Sequence, residues 1–185
     1  MNFAEYNVKD ANLEEILLAL KSLDTVEAVA LGGSRSTGAS DENSDYDIYV
    51  YCAEIPTAET RENLLEKYCS IAEFGNHYWE SEDNTVMNNG VPVDIIYREV
   101  DRFGRYIDTV IKGGKAFNGY TTAFWHNIKN SKVLFDKTGT FTKFRDMAQI
   151  DFPENLRSAI IKNNRNLLNG KLPSYDRQIK KAQER

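Results

Sequence analysis

The sequence predicts an α+β protein: a mixed β-sheet flanked by helices, followed by a mostly helical C-terminal region. In the first hundred residues, apolar runs of strand length alternate with two segments of helical periodicity. An Asn-Gly pair at 89–90 separates two of these runs and indicates a β-hairpin. After residue 100 the apolar residues recur mainly at helical spacing. We therefore predict one domain over residues 1–112 and a helical region over 113–185.

The first domain is expected to contain two long helices and five strands. The helices are predicted at 12–23 and 59–72, with a short helix near 36–39. The predicted strands are 26–31, 48–51, 77–79, 85–88 and 91–97. The hairpin should pair the last two strands in antiparallel fashion.

Beyond residue 100, helices are predicted at 100–111, 121–130, 141–149, 154–169 and 174–185, with one strand at 132–135. Pro153 and Gly170 suit the start and the end of the 154–169 helix. The chain stops within a helical stretch, which predicts a truncated protein or a helix whose partner is missing. We expect the apolar stripe of 154–169 to be covered by the first domain, by a second copy in a homodimer or by a further C-terminal segment.

Composition indicates an ordinary soluble globular protein, with 28% charged and 41% hydrophobic residues. No apolar run approaches the roughly 18 residues that a membrane span needs. The N-terminus shows no basic region followed by an apolar one, so a cytoplasmic location is expected. The net charge of −5 argues against broad nucleic-acid binding and favours a small or cationic partner molecule.

The segment 31–51 carries the most chemical information. An apolar run ends in Gly-Gly-Ser at 32–34, a polar loop follows, and Asp45-Tyr46-Asp47 opens the next apolar run. Alternate residues of a strand share a face, so Asp45 and Asp47 should point the same way. Two such carboxylates repel each other unless a cation lies between them, and Mg²⁺ prefers oxygen ligands of this kind together with substrate phosphates. Glycine permits close backbone approach, and Ser34 offers a hydroxyl and an N–H to a phosphate.

Simpler interpretations exist for each piece of this pattern. The SDYD segment suits a solvated turn, and the GGS segment suits an ordinary loop. Asp is depleted in strands, however, so Asp45 and Asp47 beside a β-branched and aromatic run favour a ligand-binding role. Asp94, within the 91–97 run, is by itself more typical of an exposed strand residue.

Gly33-Ser34, a spacer and Asp45-x-Asp47 together resemble the signature of the DNA polymerase β-like nucleotidyltransferase superfamily. The longer pattern, GGSRSTG followed by SDYD, is most similar to its small antibiotic- and metabolite-modifying branch, which includes aminoglycoside and lincosamide nucleotidyltransferases. The resemblance implies the polymerase β-like mixed-sheet fold and a third carboxylate on a later strand, for which Asp94 is the match. It also implies metal-dependent transfer of an NMP from an NTP, ATP above all, to a hydroxyl of a small molecule, with release of pyrophosphate.

The resemblance also assigns roles to individual residues. Asp45, Asp47 and Asp94 would be the catalytic residues and the ligands of Mg²⁺, with Mn²⁺ as a possible substitute. Asp94 would either share a second metal ion or accept the proton of the attacking hydroxyl. Gly33 and Ser34 would hold the terminal phosphates.

Two neighbouring residues are further candidates for the nucleotide site. Arg35 follows the motif and has two equally weighted roles: contact with the triphosphate, or an ion pair with Asp41 or Glu42. Ser44 precedes Asp45, and we expect its hydroxyl to orient that carboxylate.

Other polar residues carry weaker expectations. Arg98 ends the third-carboxylate strand and is expected at the surface more than in the site. Glu154 is a weak candidate for a general base. His77 and His126 share no spacing with other ligands, so neither is predicted to bind metal.

Two rival functions stay open. The chain is either a nucleotidyltransferase that modifies a protein partner, as antitoxin-type relatives do, or a non-catalytic nucleotide-binding module. The length of the chain counts against the first, and the presence of all three acids counts against the second.

Overall fold

A six-stranded mixed β-sheet with helices on both faces forms the core of the protein. The computed structural model describes residues 9–41, 44–78, 80–117 and 121–183, and for 166–178 and 181–182 the backbone only. The strands are β1 (Val26–Leu31), β2 (Tyr46–Cys52), β3 (Cys69–Asn76), β4 (Ser81–Met87), β5 (Pro92–Glu99) and β6 (Lys132–Asp136). The helices are α1 (Ala11–Lys21), α2 (Gly33–Thr37), α3 (Ala58–Leu65), α4 (Val100–Ile111), α5 (Ala123–Asn130), α6 (Thr140–Ala148) and α7 (Glu154–Gln183).

The strand order is β3-β4-β5-β2-β1-β6, and only β2 and β5 run parallel to each other. This arrangement confirms the predicted mixed sheet with flanking helices. The segment after residue 112 contributes β6 to the sheet, beside β1. The division of the chain at residue 112 stays a prediction.

Alternate strand residues build two separate cores on the two faces of the sheet. One face is covered by α1 and α3, which pack against Ile48, Val50 and Ile95. The opposite face is covered by α4 to α7, which pack around Tyr49 and Tyr51. Because β2 and β5 lie in the middle of the sheet, both of their faces are buried over most of their length.

Local signals explain several element boundaries. The side chain of Asp10 caps α1 by accepting hydrogen bonds from the N–H groups of Asn12 and Leu13, at 3.0 and 3.4 Å. The turn between β4 and β5 requires Gly90, whose φ of +87° lies in the left-handed region. The antiparallel β4–β5 pair confirms the predicted hairpin.

The helix predicted over 59–72 is wrong in its second half. Helix α3 ends at Leu65, a 3₁₀ turn follows over Glu66–Tyr68, and β3 begins at Cys69. Ile71, expected to face the core from this helix, is 67% exposed on the edge strand β3. Pairing with β4 determines this segment, and helical spacing of its apolar residues did not reveal that pairing.

The predicted strand over 77–79 is also misplaced. The strand is β3, which ends at Asn76, and His77 follows it. Trp79 lies outside the described residues.

The two C-terminal helices predicted over 154–169 and 174–185 form one continuous helix, α7. Gly170 and Pro173 lie inside it, although both residue types disfavour a helix interior. These residues raise the free energy of a helix without forbidding it, so the expected break does not occur.

The rest of the chain covers the apolar stripe of α7 in part. Leu156 is fully buried in the core formed by α4 to α7, and Ile160 packs against the same core. Ile161 is 48% exposed. The side chains of Leu167 and Leu168 lie outside the described set.

Within the described residues, every helix is either too short or too polar to cross a lipid bilayer.

A buried ion pair lies on the α1/α3 face of the sheet. Arg61 of α3 and Asp83 of β4 are 2% and 0% exposed, and Nη1 lies 3.4 Å from Oδ1. The same Asp83 oxygen accepts the N–H of Gly75 at 2.9 Å. The Arg61 guanidinium also lies 4.4 Å from the centre of the Tyr97 ring. The pair thus connects a helix to two neighbouring strands.

Removal of either charge of this pair leaves the other charge buried and unpaired. We expect Arg61→Met and Asp83→Leu each to lower the free energy of unfolding by about 3–5 kcal/mol. The double variant replaces the pair with apolar side chains and should lose less than either single variant. Urea denaturation of the four proteins measures this cycle.

The control is the exposed pair Lys112–Asp108, in which Asp108→Asn should change stability by less than about 0.5 kcal/mol. If the losses in free energy of unfolding were additive in the Arg61/Asp83 double variant, the two charges would not interact.

Candidate active site

The Gly-Ser turn lies directly against Asp47. The N–H of Gly32 donates a hydrogen bond to the carbonyl oxygen of Asp47 at 2.8 Å. Gly33 has φ of +59°, and a Cβ atom at this position would overlap the Asp47 carboxylate. Position 33 therefore requires glycine for both its backbone conformation and the space it leaves. The short helix predicted at 36–39 begins three residues earlier, because the Gly-Ser turn itself forms the first turn of α2.

The parallel pairing of β2 with β5 brings two of the three predicted acids together. Asp47 is in register with Asp94, so the two side chains project from the same face of the sheet. Asp45 lies one residue before β2 begins. The strand that carries Asp94 is therefore the neighbour of the Asp47 strand, as the sequence predicted.

The carboxylates of this cluster influence one another. Burial raises the pKa of Asp47, and the negative charges of Asp45 and Asp94 raise it further. Among the residues that the structure describes, no three His, Cys, Asp or Glu side chains are gathered as a metal ligand set.

A chain of amide groups holds Asp94. Asn76 Nδ2 donates to Asn84 Oδ1 at 2.7 Å, and Asn84 Nδ2 donates to Asp94 Oδ1 at 2.9 Å. Because each amide has one donor end and one acceptor end, the chain fixes the orientation of Asn84. One oxygen of Asp94 is thereby held in place.

A pocket of about 210 Å³ adjoins the Gly-Ser turn. Its walls are residues of α2 and of α5: Gly33, Ser34, Ser36, Thr37, His126, Asn127 and Asn130. Ser34 occupies the first turn of α2, where backbone N–H groups have no partner within the helix. The sequence predicted the contribution of Gly33 and Ser34, and no sequence signal pointed to α5.

Arg35 binds main-chain oxygens of the loop that leads to Asp45. Its Nε donates to the carbonyls of Ser44 and Asp45 at 3.0 and 2.9 Å, and its Nη2 also donates to Ser44. The guanidinium lies 4.0 Å from the centre of the Tyr46 ring. Arg35 therefore braces the loop ahead of the acids, a role that neither predicted alternative included. Glu42, one of its predicted partners, lies outside the described residues.

The hydrogen bond predicted from Ser44 to Asp45 is wrong. The Ser44 hydroxyl donates to Asp41 Oδ1 at 2.9 Å and accepts the N–H of Asp41 at 3.0 Å. These bonds close a small turn within the loop, as Ser and Asp side chains commonly do. Nucleotide binding by Ser44 stays a prediction.

Arg98, expected at the surface, is buried and 6% exposed. Its Nε and Nη2 each bind a carboxylate oxygen of Glu80 at 2.6 Å, and its Nη1 donates to the Tyr51 hydroxyl at 3.3 Å. The expectation failed because Glu80 is distant in sequence. Strand alternation did contain a signal, since Arg98 lies four residues after Asp94 and so on the same face of β5.

Tyr49 connects the site to the helical layer. Its hydroxyl accepts a hydrogen bond from Asn127 Nδ2 of α5 at 2.7 Å. Burial raises the pKa of Tyr49 to about 12, so the phenol stays protonated. Gly32 lies against the Tyr49 ring, where a Cβ atom at position 32 would overlap it. The Tyr49 ring thus packs against the Gly-Ser turn.

Glu154, the weak candidate for a general base, and His77, which was not expected to bind metal, lie elsewhere. Glu154 begins α7, and its exposed side chain pairs with Arg157 at 3.5 Å. His77 is exposed after β3 and does not line the pocket.

Known structures offer limited likenesses. The chain is similar to a toxin–antitoxin crystallised with AMP-PNP, with 17% identity, a TM-score of 0.42 and coverage of 90% of this chain and 97% of that chain. A mutant of the toxin–antitoxin MntA–HpeT gives 15% identity, a TM-score of 0.41 and coverage of 92% and 99%. Cid1 with its short product ApU gives 18% identity, a TM-score of 0.37 and coverage of 65% and 39%. These values indicate nothing about substrate or partner. No curated protein is significantly similar in sequence.

A family model gives a firmer result. The model described as a nucleotidyltransferase domain matches residues 13–117, which is more than half of the chain. The match includes the Gly-Ser turn, Asp45, Asp47 and Asp94, and the strands that position them. The protein therefore belongs to the nucleotidyltransferase domain family, within the DNA polymerase β-like superfamily, and is a nucleotidyltransferase.

Proposed function

We propose that the protein is a Mg²⁺-dependent enzyme that moves an NMP from an NTP to a hydroxyl of a small, positively charged molecule and releases pyrophosphate. ATP is the nucleotide proposed first. The observation that carries this proposal is the pairing of Asp47 with Asp94, with the Gly33 backbone lying against Asp47.

The residues present fit a divalent metal, which enzymes of this family generally use. The pKa of Asp47 is raised by burial and by the charges of Asp45 and Asp94, so a cation among them would relieve both effects. Oxygen ligands of this kind suit Mg²⁺ and also Mn²⁺. When bound, the metal ion neutralises charge on the phosphates and makes the α-phosphorus easier to attack.

The chain's own residues position the reactants. The acceptor hydroxyl oxygen forms a bond to the α-phosphorus, the bond from that phosphorus to the bridging oxygen breaks, and pyrophosphate leaves. Gly33 and Ser34 hold the terminal phosphates through backbone N–H groups and the Ser34 hydroxyl. Asp94 either shares the metal or takes the hydroxyl proton, and its bond from Asn84 holds it ready for either role.

The surface next to Asp94 favours a cationic acceptor. Glu82 and Asn84 of β4 pair with Ile96 and Asp94 of β5, so they extend the face that carries the acids. Burial raises the pKa of Glu82, and the charges of Asp94 and Glu80 raise it further. A positively charged acceptor would relieve this concentration of negative charge.

Transfer of labelled NMP from each of the four NTPs tests the proposal directly. The acceptors are a panel of amino-sugars and lincosamides, with a cell extract as a source of protein acceptors. Label on an amino-sugar supports the proposal. Label on a protein alone would show that the acceptor is macromolecular, and no transfer with any NTP would contradict the proposed activity.

Loss of either metal-binding charge should abolish transfer. We expect Asp45→Asn and Asp47→Asn each to lower kcat/KM at least about 100-fold, because charge neutralisation at the phosphates is lost. Circular dichroism should show that the fold is retained. The control is Asp101→Asn, which removes an exposed acid from the first turn of α4. If either variant keeps an activity near that of the native protein with Mg²⁺ or Mn²⁺, the acid that it lacks is not a metal ligand of the reaction.

Asp47 should also lower the stability of the folded protein when no metal is present. The pKa of Asp47 is raised in the folded state above its ordinary value near 4, so folding favours the neutral form, and this stabilisation is lost as pH rises through the raised value. In EDTA at pH 7, Asp47→Asn should therefore melt at a higher temperature than the native protein. The difference should vanish near pH 4.

Thermal melting between pH 4 and 8 measures this effect, and addition of Mg²⁺ with NTP should reverse the order of the two proteins. A native protein that melts above the variant at every pH in EDTA would show that the acids do not destabilise each other.

The amide chain that holds Asp94 should matter for catalysis. We expect Asn84→Ala to lower kcat/KM about 10–100-fold, as is usual when a group that orients a metal ligand is lost. Asn88→Ala is the matched control, because the Asn88 amide donates to the Lys67 carbonyl at 3.0 Å, away from the acids. Steady-state kinetics with a titration of Mg²⁺ measures both variants. Equal kinetics of the two variants would mean that Asp94 needs no support from Asn84.

A further inference from the structure

Tyr49 is a buried tyrosine of β2 with no part of its own in the proposed reaction. It lies two residues after Asp47, so the two side chains share one face of the sheet. Its ring reaches the Gly-Ser turn, because a Cβ atom at Gly32 would lie 2.4 Å from the ring atom Cε2. The α-carbon of Gly32 is therefore in close contact with the edge of this ring.

The same turn is held by Asp47. The N–H of Gly32 donates to the Asp47 carbonyl at 2.8 Å, and the backbone of Gly33 packs against the Asp47 carboxylate. The turn thus meets β2 at the main chain of Asp47, at its carboxylate and at the Tyr49 ring. Because protein interiors are close-packed, a shift of the ring either moves the turn or leaves a void beside it. The ring therefore takes part in setting the distance between the turn and the acid.

Two contacts fix the Tyr49 ring itself. Its hydroxyl accepts a hydrogen bond from Asn127 Nδ2 of α5 at 2.7 Å, and the Arg98 guanidinium lies 4.4 Å from the ring centre. Arg98 is held in turn by two bonds of 2.6 Å to the carboxylate of Glu80. These contacts restrain the hydroxyl end and one face of the ring, while a central strand of the sheet restrains its backbone.

The end of α5 also lies against the turn. Ser131 follows this helix, and its Oγ would lie 3.5 Å from a Cβ atom at Gly32, an ordinary van der Waals distance. The N–H and the hydroxyl of Ser131 donate to the Asn127 carbonyl at 2.8 and 2.5 Å. Both residues lie outside 13–117, the part of the chain that the family model matches. A segment beyond the matched domain therefore contacts the turn directly and through Tyr49.

We propose that Tyr49 is a positioning residue: its ring sets the place of the Gly-Ser turn relative to the Asp47 carboxylate, and its hydroxyl bond to Asn127 makes that place depend on α5. The proposal rests on the proposed function, in which the turn holds the terminal phosphates of the NTP and Asp47 binds the metal. One NTP must satisfy both contacts at once, so their separation determines how the α-phosphorus meets the acceptor hydroxyl. Tyr49 acts on the reaction only through the turn.

The hydroxyl bond is tested with Tyr49→Phe, which keeps the ring, and with Asn127→Ala, which removes the donor. Each variant should lower kcat/KM for NTP about tenfold, as is usual when a group that orients the reacting parts is lost. The double variant should lose no more than about twofold beyond either single variant, because both substitutions remove the same bond. The KM for the acceptor should stay at the native value in all three proteins.

Tyr97→Phe is the matched control. Tyr97 is a buried tyrosine of the neighbouring strand β5, and it packs in the core on the opposite face of the sheet. The two Tyr→Phe substitutions remove the same group from the same sheet, so a general loss of stability would affect both variants. We expect urea denaturation to show that both are folded, and Tyr97→Phe should keep the kcat and KM of the native protein.

A compensating pair of substitutions tests the ring contact. Gly32 has φ of −103°, which alanine also adopts, so Gly32→Ala adds only a methyl group that overlaps the Tyr49 ring. This variant should lower kcat/KM at least about 100-fold, and Tyr49→Leu should lower it about 10–100-fold. The double variant should be about tenfold more active than Gly32→Ala, because leucine lacks the ring atom nearest the methyl group. Two independent structural losses would add instead.

Calorimetry with ATP and Mg²⁺ gives a measurement that needs no acceptor. Tyr49→Phe and Gly32→Ala should each weaken ATP binding about tenfold, because the turn no longer lies where it meets the phosphates of the metal-bound nucleotide. Adding Tyr49→Leu to Gly32→Ala should recover most of the affinity. Tyr97→Phe should bind ATP as the native protein does.

Each alternative outcome has a definite meaning when the native protein transfers NMP and the proposed function stands. Native kinetics in Tyr49→Phe, or an equal loss in Tyr97→Phe, would overturn the positioning role. Additive losses in Tyr49→Phe and Asn127→Ala would show that α5 does not act through the hydroxyl. A Gly32→Ala/Tyr49→Leu protein that is no more active than Gly32→Ala would overturn the ring contact.

A native protein that transfers no NMP would contradict the proposed function, and ATP binding then decides the positioning role. Weaker binding by Tyr49→Phe than by Tyr97→Phe would support that role without the transfer reaction. Equal binding by these two variants and the native protein would overturn it, and a native protein that binds no ATP would contradict both proposals.

Discussion

The parallel pairing of β2 with β5 places Asp47 and Asp94 side by side. Burial on both faces of these strands fixes the register of the pairing. Ile48 and Val50 pack into one core together with Ile95, while Tyr49 and Tyr51 pack into the other. A slip of one residue would move every side chain of a strand to the opposite face and would exchange the two sets. The alignment of Asp47 with Asp94 is therefore imposed by apolar burial further along the strands. Both acids lie near the strand beginnings, where each is only partly buried.

Two buried arginines stabilise the same part of the sheet from opposite faces. Arg61 reaches Asp83 of β4 from the α1/α3 side, and Arg98 of β5 binds Glu80, just before β4, on the side of α4 to α7. Each guanidinium also lies over an aromatic ring of the central strands, at 4.4 Å from Tyr97 and Tyr49 respectively. The strand pair β4–β5 is thus held on both sides close to Asp94. A buried charge needs its partner in one geometry, so these contacts restrict the position of the strand that supports the third acid.

The sequence revealed the parts of the fold and of the site that depend on neighbouring residues. Strand β1, helix α4 and the Asn-Gly hairpin follow from local pattern, and Asp45 and Asp47 follow from a short motif. The parts that were missed depend on contacts between distant segments. Arg98 becomes a core residue only because Glu80 and Tyr51 are brought to it.

The same limit applies to the other differences. The segment after Leu65 becomes β3 because β4 offers it an edge, and α5 becomes a wall of the pocket because the Tyr49 hydroxyl holds Asn127. Neither contact has a sequence signal of its own. Inside α7, Gly170 and Pro173 are local signals for a helix end that the structure does not follow. Local pattern therefore identified most elements and the central motif, whereas it failed wherever one segment determines the state of another.

Negative charge is distributed unevenly around the site. The charges of Asp45 and Asp94 act on Asp47, which lies against Gly33, and the charge of Asp94 also acts on Glu82 of β4. The pocket next to Gly33 is lined instead by neutral groups and His126. A polyphosphate cannot lie over the acids without a cation, but it meets no carboxylate among the described residues that line the pocket. In the proposed function, the metal therefore binds at the acids, Gly33 and Ser34 hold the terminal phosphates, and the acceptor approaches from the side of β4. Gly33 lies at the boundary between the two, because it lines the pocket while its backbone packs so closely against Asp47 that a Cβ would overlap the carboxylate.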